Sequence, residues 1–295
     1  MKPFCSVLIT GVSGLIGTAV HNEIYGRSRK VTGVFMTHRP PPGCDGSFVR
    51  HDLTDLRATE RLIADLAPSL VINCAANPDI APCQAAPQSA AVINTEVPAL
   101  MARCCREVGA RFIHFSTDQV FDGSGCWYGE NDPPKPVHVY GRTKRASEEA
   151  VLQADPEAVV LRISLVYGRS LTGERSASEK LAAALGFGRT LHLYTNEFRT
   201  PIFVEDVARA VAYLGVGEFS GLLHVAGPDR LSRLEFGRAV ATTFGLDLSL
   251  VIPSRSRGLS DDPPRPCDLS LDTSLARAVL PFRFRGVEEG LATLT

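Results

Sequence analysis

An apolar run, Phe4 to Thr10, breaks directly into Gly11-Val12-Ser13-Gly14-Leu15-Ile16-Gly17, and a helical pattern follows from about Gly14 to Tyr25. A short buried strand, a glycine turn and a helix in immediate succession are how a parallel α/β sheet begins. The glycines permit a tight turn and a close approach to the backbone. The helix start then offers unpaired N–H groups and a partial positive charge to a phosphate. Gly11, Ser13, Gly14, Leu15, Ile16 and Gly17 are therefore candidates for holding a dinucleotide pyrophosphate. The spacing is G-x-x-G-x-x-G rather than the commoner G-x-G-x-x-G. The alternative is a tight turn with no ligand.

The alternation continues along the chain. Strands are predicted at Val31 to Met36, Ser47 to Arg50, Ser69 to Cys74, Arg111 to Ser116 and Ala158 to Ile163. Helices are predicted at Leu56 to Leu66, in a long region reaching Val108 that breaks near Pro98, at Val139 to Gln153 and at Val204 to Leu214. Strand–helix alternation with right-handed crossovers implies an α/β fold, a Rossmann-type doubly wound parallel sheet. The pattern loosens after about Gly168. Residues 1–165, joined by 201–226, are expected to form the dinucleotide-binding domain, and residues 166–200 and 227–295 a smaller C-terminal substrate domain. Within it, Glu174 to Ser178 reads as a loop over a site and Pro253 to Pro266 as an extended excursion. The one low-complexity tract is Pro40-Pro41-Pro42.

The end of the second predicted strand bears on the cofactor. A carboxylate there would bind an unmodified ribose. None occurs between Val31 and Pro42; Thr37, His38 and Arg39 stand there instead. A guanidinium suits a 2′-phosphate in charge and in donor geometry, so NADP(H) is favoured over NAD(H). Arg39 also has a plain reading as a solvated loop residue. After the third strand, Asp52, with Leu53 beside it, is placed to accept from an adenine amino group or to serve a helix N-terminus.

Tyr140 and Lys144 form Tyr-Gly-Arg-Thr-Lys inside a predicted helix. Residues four apart share a helical face. An ammonium beside a phenol is expected to lower its pKa from about 10, making a proton donor for a carbonyl being reduced. Ser116-Thr117-Asp118-Gln119-Val120-Phe121 closes a strand, where ligands of open α/β sheets gather. Thr117 is thus placed to aim its hydroxyl at a substrate oxygen, or simply to start a turn.

Together these residues resemble the extended short-chain dehydrogenase/reductase superfamily, and within it the dTDP-4-dehydrorhamnose reductase-like branch. The likeness rests on the glycine turn, Ala75-Ala76, Ser116 to Phe121, Tyr140 to Lys144, Arg162 to Tyr167, Thr200-Pro201 with Val204-Glu205-Asp206, and Arg265-Pro266. The resemblance implies Tyr140 as general acid, Lys144 on the nicotinamide ribose, and Thr117 polarising the carbonyl. It implies Asn73, Cys74, Ala75, Ala76 and Asn77 along the cofactor. It further implies hydride transfer to the keto carbon of a nucleotide-linked sugar, with Asp118 accepting from sugar hydroxyls. Arg199 is inferred to face the sugar nucleotide's diphosphate. Gln119 and Leu165 stand where rhamnose-pathway enzymes usually carry Tyr and Trp, and Ala81 and Pro82 where those have an acidic and a basic residue. The same branch contains the regulatory beta subunit of methionine adenosyltransferase, so a non-catalytic NADP-binding subunit is the alternative.

Composition excludes other classes. A net charge of −1 with 44% apolar and 21% charged residues gives no global attraction to nucleic acid or anionic membranes. No apolar stretch approaches the roughly 20 residues that span a bilayer. The eight cysteines form no C-x-x-C pair and read as reduced thiols of a cytoplasmic protein. No metal site is expected, because His and Cys never approach ligand spacing. The chain is compatible with a homodimer.

Overall fold

The computed structural model describes residues 4–39 and 46–295; the Pro40-Pro41-Pro42 tract lies outside them. Three short strands and two helices open the chain: β1 (Val7–Thr10), α1 (Leu15–Tyr25), β2 (Val31–Phe35), β3 (Ser47–Arg50) and α2 (Leu56–Leu66). Next come β4 (Leu70–Asn73), α3 (Ile80–Ala85), α4 (Pro87–Ala91), a π-helical turn (Val92–Glu96) and α5 (Val97–Val108). Pro98 sits in the first turn of α5, where a missing N–H is tolerated. The irregularity expected near it is the π turn just upstream. This turn aims Asn94 inward, where Asn94 Nδ2 donates to the Asn77 carbonyl (3.1 Å) and to Thr143 Oγ1 (3.2 Å).

The chain continues through β5 (Arg111–Thr117), a 3₁₀ turn (Asp118–Val120), α6 (Val139–Ala154), β6 (Val159–Ile163) and β7 (Val166–Tyr167). Then follow α7 (Ala177–Gly186), β8 (Leu191–Tyr194), β9 (Phe198–Arg199), β10 (Ile202–Phe203), α8 (Val204–Leu214) and β11 (Gly221–Val225). The last elements are β12 (Leu231–Ser232), α9 (Arg233–Thr243), β13 (Val251–Ser254), α10 (Ser274–Val279) and α11 (Val287–Ala292). The Pro253 to Pro266 stretch is thus strand at its start, with a short 3₁₀ turn at Gly258–Ser260 in an otherwise irregular run.

Seven strands form one parallel sheet in the order β11-β6-β5-β4-β1-β2-β3, the doubly wound architecture expected from the sequence. β1 and β4 are buried throughout, as strands covered on both faces must be. One face packs Val20 and Ile24 of α1 and Val207 and Val211 of α8 onto Ile9, Ile72 and Ile113. The other packs Ile63 of α2, Met101 and Cys105 of α5 and Val151 of α6 onto Leu8, Val71 and Phe112. β11 is absent from the predicted strands. Its pattern, Gly-Leu-Leu-His-Val, begins with glycine and carries a buried histidine, which masks a strand edge. Three two-stranded pairs, β7–β10, β9–β12 and β8–β13, lie outside this sheet. A further apolar cluster joins Tyr167 and Phe203 to Phe236 and Val240 of α9 and Val287 and Leu291 of α11. Among the described residues, no helix is long and apolar enough to cross a membrane.

Candidate active site

The glycine turn is as tight as its composition demands. Gly11 lies at φ +62°, and a Cβ there would stand 2.8 Å from the Ala75 amide nitrogen. A Cβ on Gly17 would overlap the Gly11 carbonyl. Gly14 is the N-cap of α1 and brings no side-chain hydrogen bond, so the first-turn amides are left for a ligand. A groove of about 380 Å³ opens above, lined among others by Gly11, Ser13, Gly14, Thr37, His38, Asp52, Leu53, Cys74, Ala75 and Ala76. Leu15, Ile16 and Gly17 form the first turn beneath it. Asp52 holds Thr54 through its amide (2.9 Å) and hydroxyl (2.6 Å), which keeps its carboxyl below the usual range. The cap of α2 is Asp55 instead, accepting from the Ala58 amide, so the helix-capping alternative for Asp52 is excluded. Arg39 is exposed and does not line the groove. Sequence reasoning missed Arg175, which does.

The segment after β4 connects two cavities. Cys74 to Ala76 border the groove, Asn77 donates its amide to Asn94 (2.9 Å), and Pro78 borders a second cavity of about 240 Å³. That cavity is lined by Thr117, Asp118, Gln119, Tyr140, Leu165 and Arg199 together with Ile80, Ile163, Ser164 and Val166. Both proposed hydroxyl groups and all four substrate candidates thus meet in one place.

Polar contacts tune each group. Thr117 Oγ1 donates to Asp118 Oδ1 (3.2 Å) and accepts from the Gln119 amide (3.2 Å). Asp118 also accepts from Ser164 Oγ (3.0 Å) and lies 3.7 Å from Arg199 Nε. Burial pushes its carboxyl up against the pull of that guanidinium. His138 caps α6: its Nδ1 accepts from the Gly141 amide (3.0 Å), so Nε2 donates to Gln119 Oε1 (3.0 Å). Burial pushes His138 down to about 4, so the ring is neutral. Gln119 therefore has its amide NH₂ free to donate to a ligand.

Lys144 lines neither cavity. It is 2% exposed, and its Nζ stands 3.1 Å from His114 Nε2. A buried polar chain runs Thr10 Oγ1 to Asn73 Oδ1 (2.6 Å), Asn73 Nδ2 to His114 Nδ1 (3.1 Å), and His114 Nε2 to Ser147 Oγ (3.1 Å). Desolvation pushes Lys144 down to about 7 despite Glu148. The expected effect on Tyr140 is reversed here. Burial pushes its phenol above the usual range, opposed by hydrogen bonding to Thr117, and Lys144 is not among the groups that set it. The ammonium is turned toward His114, and burial outweighs a cation held one turn away.

Two further residues flank the cavity unnoticed by sequence pattern. Arg233 at the start of α9 is pushed below the usual arginine range by burial and by the neighbouring Arg199 guanidinium. Glu197 Oε1 is buried without a hydrogen-bond partner among the described residues. Their signal is only the pairing of β9 with β12, which brings residues 197–199 beside 231–233. Among the described residues one group has metal-ligand spacing, Glu60, Cys104 and Glu107; Arg103 already pairs with both carboxylates. All seven described cysteines are free.

The profile of the RmlD substrate binding domain family matches residues 5–295. A probable low-salt glycan biosynthesis reductase (Agl14) of Haloferax volcanii is 33% identical over 97% of this chain and 96% of its own. The methionine adenosyltransferase 2 subunit beta of Rattus norvegicus is 32% identical over 98% of this chain and 88% of its own. The crystal structure of dTDP-4-dehydrorhamnose reductase from Bacillus anthracis in complex with NADP superposes with a TM-score of 0.86 at 21% identity, covering 100% of this chain and 99% of that one. The Bordetella bronchiseptica enzyme WbmH in complex with NAD⁺ superposes at 0.80 with 23% identity, covering 99% and 96%.

Proposed function

We propose that this chain, which belongs to the RmlD substrate binding domain family and so to the NAD(P)-dependent oxidoreductases of the extended short-chain dehydrogenase/reductase superfamily, is an NADP-dependent reductase of a 4-keto nucleotide sugar. The observation that carries this reading is the shared cavity. Thr117 and Tyr140 line it beside Asp118, Gln119, Leu165 and Arg199, and it remains open between those last three side chains.

The residues present fit a dinucleotide. Gly11 and Gly17 have no room for a side chain, and the uncapped α1 start faces the groove. Ser13, Gly14, Cys74, Ala75 and Ala76 would hold it, with Asp52 and Leu53 at the adenine end. A bound NADPH supplies a hydride to the keto carbon. Thr117 orients the carbonyl oxygen by turning its hydroxyl from Asp118. Tyr140 gives that oxygen a proton, so the C=O becomes CH–OH and the phenol becomes phenolate. A phenol kept protonated by burial is in the form that donates a proton. Preference for NADP is supported by Thr37 and His38 at the groove wall where a ribose-binding carboxylate would otherwise stand. Arg199, with Arg233 behind it, supplies positive charge for a diphosphate.

A second reading, a non-catalytic NADP-binding subunit, is favoured by the likeness to the methionine adenosyltransferase 2 beta subunits. NADPH oxidation with a panel of dTDP-4-keto sugars separates the two. The reductase reading expects turnover that drops by roughly 10²–10⁴-fold in Tyr140→Phe while NADPH affinity holds. Saturable NADPH binding without turnover of any sugar in the panel would leave the subunit reading standing.

A further inference from the structure

Residues 168–176 cross from β7 to α7 and bring one side chain of the second half of the chain onto the cofactor groove. Arg175 is half-buried and lines that groove opposite Ser13, Gly14, Thr37 and His38. Its guanidinium has no hydrogen bond, ion pair or ring partner among the described residues. The other side chains lining the groove are apolar or hydroxyl- or thiol-bearing, apart from the exposed Asp52 and the two histidines His38 and His51.

The strap that carries Arg175 is anchored. Glu179, on the first turn of α7, accepts from the Ser170 amide (2.6 Å), the Ser170 hydroxyl (2.6 Å), the Arg175 amide (3.0 Å) and the Ser176 amide (3.0 Å). Ser176 completes a capping box with the same helix. Gly168 at φ +131° and Gly173 at φ +73° give the strap its turns. Four hydrogen bonds to one carboxylate hold the backbone of Arg175 in place and leave its side chain free to meet an anion. A half-buried guanidinium with no partner among the described residues, on the wall of a groove that also holds a helix start, is poorly accounted for by packing alone, since an exposed position would hydrate it better.

We infer that Arg175 is a cofactor-binding and specificity-determining residue: it closes the groove from the strap and takes a phosphate of the dinucleotide, with Glu179 as its positioning residue. This rests on the reductase reading only through the cofactor, which both readings above share. Two phosphates are within the same chemistry, the pyrophosphate beside Ser13 and Gly14 and the 2′-phosphate beside Thr37 and His38.

The test is equilibrium binding of NADPH and NADH to the full chain, by calorimetry, for wild type, Arg175→Ala, Arg175→Lys, Glu179→Ala, Glu179→Gln and an exposed control, Arg189→Ala. Arg175→Ala is expected to weaken NADPH by roughly 10- to 100-fold, the effect of one charge-assisted hydrogen-bonded pair, and Arg175→Lys to recover part of it. Equal weakening of NADH assigns the pyrophosphate; weakening of NADPH alone assigns the 2′-phosphate. Glu179→Ala is expected to weaken, several-fold and at temperatures far below its melting point, the same nucleotides that Arg175→Ala weakens, and Glu179→Gln less so. Wild-type affinity kept within about twofold in Arg175→Ala, at the scatter of such measurements, overturns the inference and leaves the reductase reading intact. A wild-type protein that takes up neither nucleotide overturns both.

Discussion

Lys144 occupies a site that disfavours its own charge. Its ammonium is buried against His114, and desolvation holds it near 7. The folded state therefore binds fewer protons than the unfolded chain between pH 7 and about 10.4. Stability must rise with pH across that window, by roughly 2–4 kcal/mol if no other group compensates. Lys144→Met removes the titrating group. It is expected to melt no lower than wild type at pH 7, and to flatten the rise in melting temperature between pH 7 and pH 10. A melting temperature that falls by several degrees at pH 7 would show that Lys144 is chiefly a structural partner of His114. The Tyr-x-x-x-Lys spacing was legible in the sequence; Tyr140 lines the second cavity and Lys144 does not. The direction of its acidity was not legible. It depends on how deeply α6 packs against β5, and His114 lies 30 residues from Lys144.

At the scale of elements, a buried ion pair fixes the helix that carries Tyr140. Arg162 of β6 grips Glu148 of α6 with two bonds of 2.8 Å, and both side chains are 1% exposed. Ser116 of β5 donates to the same carboxylate (2.6 Å), as does Arg145 (3.1 Å). Arg162 also faces His224 Nε2 of β11 (3.3 Å) and lies over the Phe121 ring. One carboxylate thereby sets α6 against three adjacent strands at the ends where Thr117 and the second cavity lie. Glu148→Gln leaves Arg162 buried without its counter-charge and is expected to cost about 3–5 kcal/mol in urea unfolding. The double replacement Glu148→Leu with Arg162→Met is expected to recover most of that loss, because removing both charges removes the desolvation cost as well. A single-variant loss below about 1 kcal/mol would mean the pair is solvated and anchors nothing. Regular strands and helices were readable from periodicity because burial on both faces writes long apolar runs. This network was not, since a charged residue inside a strand breaks the pattern that reveals the strand. β11 was hidden likewise by His224; Glu174 to Ser178 was legible as a loop over a site, but nothing in its local pattern singled out Arg175.

Across the whole molecule, the parallel sheet supplies the floor of both cavities and the segment from residue 168 to 199 supplies two arginines to them. Arg175 stands at the cofactor groove and Arg199 at the cavity of Tyr140. Each sits on its own support: Glu179 for the strap, and for β9 its pairing with β12, with Arg199 Nη1 donating to the Phe198 carbonyl (2.7 Å). Among the described residues they share no hydrogen bond and no carboxylate partner. Such separation implies that the two ends of the site are read independently. Arg199→Gln is expected to raise KM for the nucleotide sugar by about tenfold, the worth of one charge-assisted contact, and to leave NADPH affinity unchanged. Arg175→Ala is expected to do the reverse. In the double variant the two free-energy losses should add within about 0.5 kcal/mol, as they do for sites without a shared partner. Coupling well beyond that, measured as a cycle of kcat/KM at saturating NADPH and at limiting NADPH, would mean that the strap and β9 move as one body when the nucleotide enters, and that the sugar end is assembled only around a bound cofactor.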